Sequence, residues 1–267
     1  MKQSVKTTLL AVATGLLTGS MNANISENSE LKKQNADVTA PVPDFADLNN
    51  QADAATEVSL RVLNIGDSRT VGMYFSENVK KYSNTVDAQD VAGNHWFAKV
   101  GQGLSWFENN MDNVQKLVKD CDVVVINLGI NDLAASGNSQ TVAAKYIRCL
   151  NGLADDWAMQ GKRVFFSASN PVGPQYRGSH VFNQKIDNFN RLVQEGLSNN
   201  IGFIDTNNFI KEHLTSRDFD SAGLHYTAKI NRKIHQFIES QIATEIAKTN
   251  GNYNLLSAMQ NNGGRNL

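Results

Sequence analysis

The chain has 267 residues, 41% of them hydrophobic and 19% charged, and a formal net charge of -1. Those proportions suit one soluble globular domain of roughly 200 residues with flanking segments. The near-neutral balance offers no basic field to nucleic acid and no polybasic patch to a membrane surface, which argues against both partner classes.

Residues 1–23 read as a signal peptide. Lys2 and Lys6 precede the apolar segment "TTLLAVATGLLTG", and the small residues of "SMNA" place cleavage after Ser20 or Ala23. The apolar run is too short to span a bilayer, so stable membrane insertion is not expected. The mature chain is expected to be secreted, in the periplasm or outside the cell. Residues 24–57 are rich in Asn, Ala, Asp, Glu and Ser and show no steady period, as in a flexible linker.

The folded domain is expected over residues 58–249. Apolar runs predict strands in "LRVLNI" (60–65), "WFAKV" (96–100), "DVVVINL" (122–128), "RVFFSAS" (163–169) and "GFID" (202–205). The run Val123–Val124–Val125–Ile126 is apolar at every position, which predicts a strand covered on both faces. Helical periods follow in "WFENNMDNVQKLV", "AAKYIRCLNGLADDWAMQ", "FNQKIDNFNRLVQEGL" and "TAKINRKIHQFIESQIATEIA". This alternation predicts an α/β protein, a three-layer α/β/α sandwich on a mostly parallel five-stranded sheet. The polar, Gly/Asn-rich stretch 250–267 is expected to be a frayed, disordered tail. Cys121 and Cys149 suit an exported protein either as one disulfide or as two buried thiols. No histidine or cysteine pair has metal-ligand spacing, and no cofactor is expected.

Under this layout the loops "GDSR" (66–69), "GQGLS" (101–105) and "GINDL" (129–133) leave strand carboxyl ends on one rim, where open α/β sheets place their chemistry. A late segment, "DFDSAGLHYT" (218–227), precedes the last helix. A serine, glycines, an asparagine and a histidine thus converge. Acyl transfer needs such a set: a nucleophile within reach of a base, and donors aimed at a developing oxyanion.

These blocks, in this order, resemble those of the SGNH, or GDSL, hydrolases. The strings "IGDSRTVGM", "AKVGQGLSWF" and "INLGINDL" are similar to a subgroup of secreted bacterial GDSL-type esterases, and the resemblance runs from about residue 59 to 245. It implies an SGNH hydrolase-like, flavodoxin-like fold. It also implies Ser68 as nucleophile and His225 as general base. The oxyanion hole would take the N–H of Ser68, the N–H of Gly101 (Gly103 in its stead if the loop is shifted) and the side-chain amide of Asn131. The expected reaction is hydrolysis of small acyl esters, above all acetyl esters, on a small molecule or a glycan. Two rivals stay open: a binder of acylated glycans, and an acetyltransferase using the same serine. Oligomeric state is not legible.

One position departs from the family. Its acid usually stands three residues before the histidine, and here that residue is Ala222. Three readings stay open. Asp220 or Asp218 reaches His225 from a longer or bulged loop; a Ser–His dyad works without an acid; or the chain is silenced, by descent or by a deliberate alanine. Losing such an orienting carboxylate costs on the order of 10⁴ in kcat while leaving residual catalysis.

Plainer readings compete at several positions. Ser68 would serve as a helix N-cap. Asp67 and Asp132 suit turns that bond nearby backbone, and Asn131 suits an Asx-turn. His95, His180, His213 and His235 lack motif context and read as surface or half-buried. Asp205 in "FIDT" is expected to end a strand and cap the segment after it. Trp96, Trp106 and Trp157 lie in apolar periods and are expected in the core, with the lining of an acyl or sugar pocket as the alternative for Trp106, close after the glycine loop.

Overall fold

The computed structural model describes residues 60–249 apart from 79 and 137. The expected signal peptide (1–23), the expected linker (24–57) and the tail (250–267) lie outside the described residues.

Strand β1 (Val62–Gly66) leads into helix α1 (Ser68–Glu77). An antiparallel pair follows, β2 (Thr85–Gln89) and β3 (His95–Lys99), then α2 (Leu104–Asn109) and α3 (Met111–Lys119). Next come β4 (Val123–Asn127), α4 (Ile130–Ser136), α5 (Ser139–Met159), β5 (Arg163–Ser167) and α6 (Ser179–Gly196). Strand β6 (Ile201–Ile204), α7 (Thr206–Lys211), a 3-10 turn (Ser216–Asp218) and α8 (Ala228–Thr249) complete the described chain.

Among the described residues the sheet has six strands, not five, in the order β2-β3-β1-β4-β5-β6. The extra strand, β2, runs antiparallel to β3 at one edge, and the other neighbours pair in parallel. Its sequence, "TVDAQ", turns only Val86 and the half-buried Ala88 inward, too weak an apolar alternation to mark it. The five parallel strands follow the flavodoxin-like order, with a topological switch between β1 and β4 where the chain departs to opposite faces.

Side chains alternate across the sheet with the period of two that a pleat imposes. Leu63, Ile65, Phe97, Val124, Ile126, Val164 and Phe166 enter the core shared with α2 to α6. Trp96, Ala98, Val123, Val125 and Phe165 enter the core shared with α1, α7 and α8. Val123 to Ile126 are buried throughout, as a strand covered on both faces requires. Trp96 and Trp157 are fully buried, and half-buried Trp106 stacks on Phe97 with ring centroids 5.0 Å apart.

The segment expected as one helix after β3 is broken at Asn110, which ends α2 and caps α3. The Asn110 side-chain amide donates to the Trp106 carbonyl at 2.8 Å, competing with a straight continuation. Short α7 carried no long period and was not expected. Its cap is Asp205, as anticipated, which accepts from the Asn208 N–H at 3.0 Å. Cys121 and Cys149 are free thiols. Cys121 is buried at the start of β4, Cys149 is half-buried on α5, and burial pushes both up to about 11. Among the described residues no helix is long and apolar enough to cross a membrane.

Candidate active site

The site begins where β1 stops. A Cβ on Gly66 would lie 1.8 Å from the Thr70 hydroxyl and 2.7 Å from the Asn127 carbonyl, so only glycine lets the strand turn here. Asp67 is the helix N-cap, its Oδ1 accepting from the Arg69 N–H at 2.9 Å. Ser68 is therefore the first helical residue and not the cap. Its own N–H lies among the first-turn donors that have no intrahelical acceptor, at the positive end of the α1 dipole.

His225 arrives from the other end of the chain, 157 residues on, and its Nε2 stands 3.0 Å from Ser68 Oγ. Its Nδ1 stands 2.9 Å from Asp220 Oδ2. A carboxylate only accepts, so Nδ1 carries the proton and Nε2 presents its lone pair to the Ser68 hydroxyl. Desolvation pulls Asp220 upward. The His225 side-chain hydrogen bond and the Leu224 and His225 N–H groups outweigh it and hold the carboxyl below its usual range.

The reach of Asp220 has a local cause. Phe219 and Tyr226 form an antiparallel bridge, and the Asp220 N–H donates to the His225 carbonyl at 2.9 Å. Residues 219–226 thus make a small hairpin in which 220 and 225 face each other. Gly223 takes the left-handed φ of +71° that closes the turn. Ala222 is exposed near its tip. Asp218 is engaged elsewhere: its Oδ2 accepts from the Thr215 N–H at 2.8 Å and the Thr215 hydroxyl at 2.7 Å. Those bonds hold its carboxyl below the usual range.

Asn131 sits in the first turn of α4, and its amide donates to the Gln102 carbonyl at 2.7 Å and to Asp67 Oδ2 at 3.3 Å. It therefore joins the serine turn to the glycine loop. Gly101, at φ +75°, forms an exposed corner of that loop with open space around it. Gly103 caps α2, and a Cβ there would lie 2.2 Å from the Asp132 carboxylate. Asp132 accepts from the Leu104 N–H and, at 2.5 Å, from the Tyr146 hydroxyl. It bonds backbone as expected, but across 28 residues instead of within its own turn.

Burial is the largest influence on Asp67, which is only 1% exposed. It raises the carboxyl from 3.8 to about 6 against the Arg69 N–H bond and the Arg69 and His225 charges. Beside the serine a cleft of about 340 Å³ opens, walled by Ser68, His225, Gly72, Val100, Phe75 and Tyr82. Two features escaped the sequence reading. Arg69 is buried beside Ser68, with its guanidinium on backbone carbonyls of two other loops. His235 is buried rather than superficial, with its ring 4.9 Å from that of Trp96.

The geometry can be set beside known proteins. Residues 65–233, more than half of the chain, match the profile of the GDSL-like Lipase/Acylhydrolase family. No curated protein matches the chain. Among solved structures, a GDSL-like lipase from Bacteroides thetaiotaomicron is similar at a TM-score of 0.51 and 19% identity, covering 76% of this chain and 97% of that one. A candidate acylhydrolase from Bacteroides fragilis gives 0.51 and 21%, covering 78% and 99%. An α/β hydrolase enzyme from the metagenome of Lake Arreo gives 0.50 and 12%, covering 68% and 94%. At these identities the likeness is one of fold.

Proposed function

Since this chain belongs to the GDSL-like lipase/acylhydrolase family, we propose that it is a serine esterase that cleaves small acyl esters through an acyl-Ser68 intermediate. The observation that carries the reading is the unbroken line from Ser68 Oγ through His225 to Asp220, with contacts of 3.0 and 2.9 Å.

Ser68 Oγ attacks the ester carbonyl while His225 Nε2 takes its proton. Asp220 holds the ring in the tautomer that leaves Nε2 free, and stabilises the imidazolium that forms. The carbonyl oxygen becomes an anion and meets the Ser68 N–H, the Gly101 N–H and the Asn131 amide. The longer of the two Asn131 bonds, 3.3 Å to Asp67, is the one an oxyanion displaces. Each such donor lowers the barrier by roughly 3 kcal/mol. The imidazolium then gives its proton to the leaving alcohol. Water enters with His225 as base, and the acid product leaves.

The modest cleft favours a short acyl group, acetyl above all. The exposed Tyr82 ring at its wall favours a leaving group with a ring face, as in a glycan ester. The lysine-led apolar leader supports export. Ala222, the feature that favoured a silenced binder, matters less now that Asp220 contacts His225.

The test is p-nitrophenyl acetate hydrolysis by the protein and by Ser68→Ala. The expected result is turnover that falls by at least about 10³ in the variant. Equal turnover by both would refute the reading. Acetyl transfer to an added sugar that outruns hydrolysis would move it to the transferase class.

A further inference from the structure

Arg69 follows the nucleophile directly and is only 5% exposed. Burying a guanidinium is costly unless its donors are satisfied. Among the described residues no carboxylate oxygen bonds its side chain. Instead Nη1 donates to the Asn170 carbonyl, and Nη2 donates to the carbonyls of Pro171 and Leu224, each at 3.2 Å, while the buried Nε has no partner among the described residues. Its cationic carbon lies 5.2 Å from the centroid of the Tyr226 ring, a favourable seat for a cation.

These acceptors belong to two rim segments. Asn170 and Pro171 follow β5, and Leu224 immediately precedes His225 in the catalytic hairpin. The two segments are also bonded to each other. The Tyr226 hydroxyl donates to the Pro171 carbonyl, and the Gly173 N–H donates to the Gly223 carbonyl at 2.7 Å. The hairpin, by contrast, has a single bridge and belongs to no strand of the sheet. The His225 side chain is 42% exposed, so little packing holds it. The distance between Ser68 and His225 therefore depends on how this hairpin is fastened to the first turn of α1. Besides the Ser68–His225 contact itself, Arg69 reaches across that joint.

We propose that Arg69 is a positioning residue: its fork grips carbonyls of both rim segments and sets His225 within reach of Ser68. It acts through the hairpin and donates nothing to the reacting atoms. A lysine at this place keeps the charge but is a point donor without the planar fork. A methionine keeps much of the length and removes every donor. The proposal rests on the esterase reading for its kinetic consequences, but its geometric core has a readout of its own.

The test compares Arg69→Met and Arg69→Lys with the unaltered protein, using three measurements. Hydrolysis of p-nitrophenyl acetate is expected to lose about 100-fold in kcat in both variants, with KM within threefold, because a misplaced base slows chemistry more than binding. The acid limb of the kcat/KM pH profile is expected to shift. In proton NMR, the downfield Nδ1 proton of His225 is expected to broaden or move in both variants. A lower melting temperature with the limb, the Nδ1 proton and kcat all unchanged would reduce Arg69 to scaffolding and overturn the proposal. Full activity in Arg69→Lys would overturn the fork. If Arg69→Met fails to fold, Arg69→Lys still decides through the same NMR signal. If the unaltered protein hydrolyses no ester, the esterase reading falls, while the Nδ1 proton still answers for the clamp.

Discussion

Replacing Asp67 by Asn isolates the buried carboxyl beside Ser68. Asparagine is as good a helix cap as aspartate, and its Oδ1 can still accept from the Arg69 N–H. The variant differs chiefly in having nothing to ionise. In the folded protein Asp67 is raised from 3.8 to about 6, with burial the leading cause. A raised carboxyl favours the folded state while protonated, so its contribution is complete below 3.8 and is lost as pH rises through about 6. About 2 units at 1.36 kcal/mol each make a full span of about 3 kcal/mol, of which about 2 kcal/mol falls between pH 4.5 and 7.5. Urea unfolding followed by circular dichroism at several pH values reads this directly. Groups unaffected by the substitution titrate alike in both proteins and cancel. The difference in stability should tilt by about 2 kcal/mol in favour of Asp67→Asn on going from pH 4.5 to 7.5. A constant offset is of no consequence, because it only records the altered contact with Asn131. Parallel curves would refute the reasoning, since they would mean that burial does not hold the proton on Asp67.

Other expectations rest on the same geometry. Asp220→Asn should lower kcat by roughly 10⁴, and Ala222→Asp should leave it within about twofold, because 220 and not 222 meets the imidazole. The reverse result in p-nitrophenyl acetate kinetics would place the acid wrongly. Gly66→Ala should destabilise the fold by about 3 kcal/mol in urea unfolding, since its methyl group collides with Thr70 and the Asn127 backbone. A neutral outcome would show that β1 can shift to admit it. Thiol titration of the denatured chain without reductant should give both Cys121 and Cys149 free. A chain with no titratable thiol would refute that.

What the sequence made legible was whatever a period or a short motif could carry. Val123 to Ile126 announced a doubly covered strand because four adjacent apolar side chains leave no polar face. The strand ends could be read, so Ser68, Asn131 and His225 could be placed on one rim. What stayed hidden was decided by partners distant in the chain. Strand β2 exists because β3 pairs with it, and an inward Val86 with a half-buried Ala88 leaves too faint a pattern. Nothing local marks Arg69, whose partners, the carbonyls of Pro171 and Leu224, are distant in the chain. The choice of Asp220 over Asp218 depended on a hairpin register. The one local sign of it was Gly223, a residue suited to a left-handed turn.

That hairpin also bears on how relatives of such chains are sorted. In a facing pair, the separation along the chain is set by the turn, while the contact is set by the register. A lengthened turn can carry a carboxylate from three residues before the histidine to five and still leave it against the ring, as Asp220 lies against His225. Screens keyed to fixed spacing would discard this chain as dead on the strength of Ala222. Screens asking instead which residue lies opposite the histidine would keep it, and would test other apparent losses of the acid for a displaced substitute nearby.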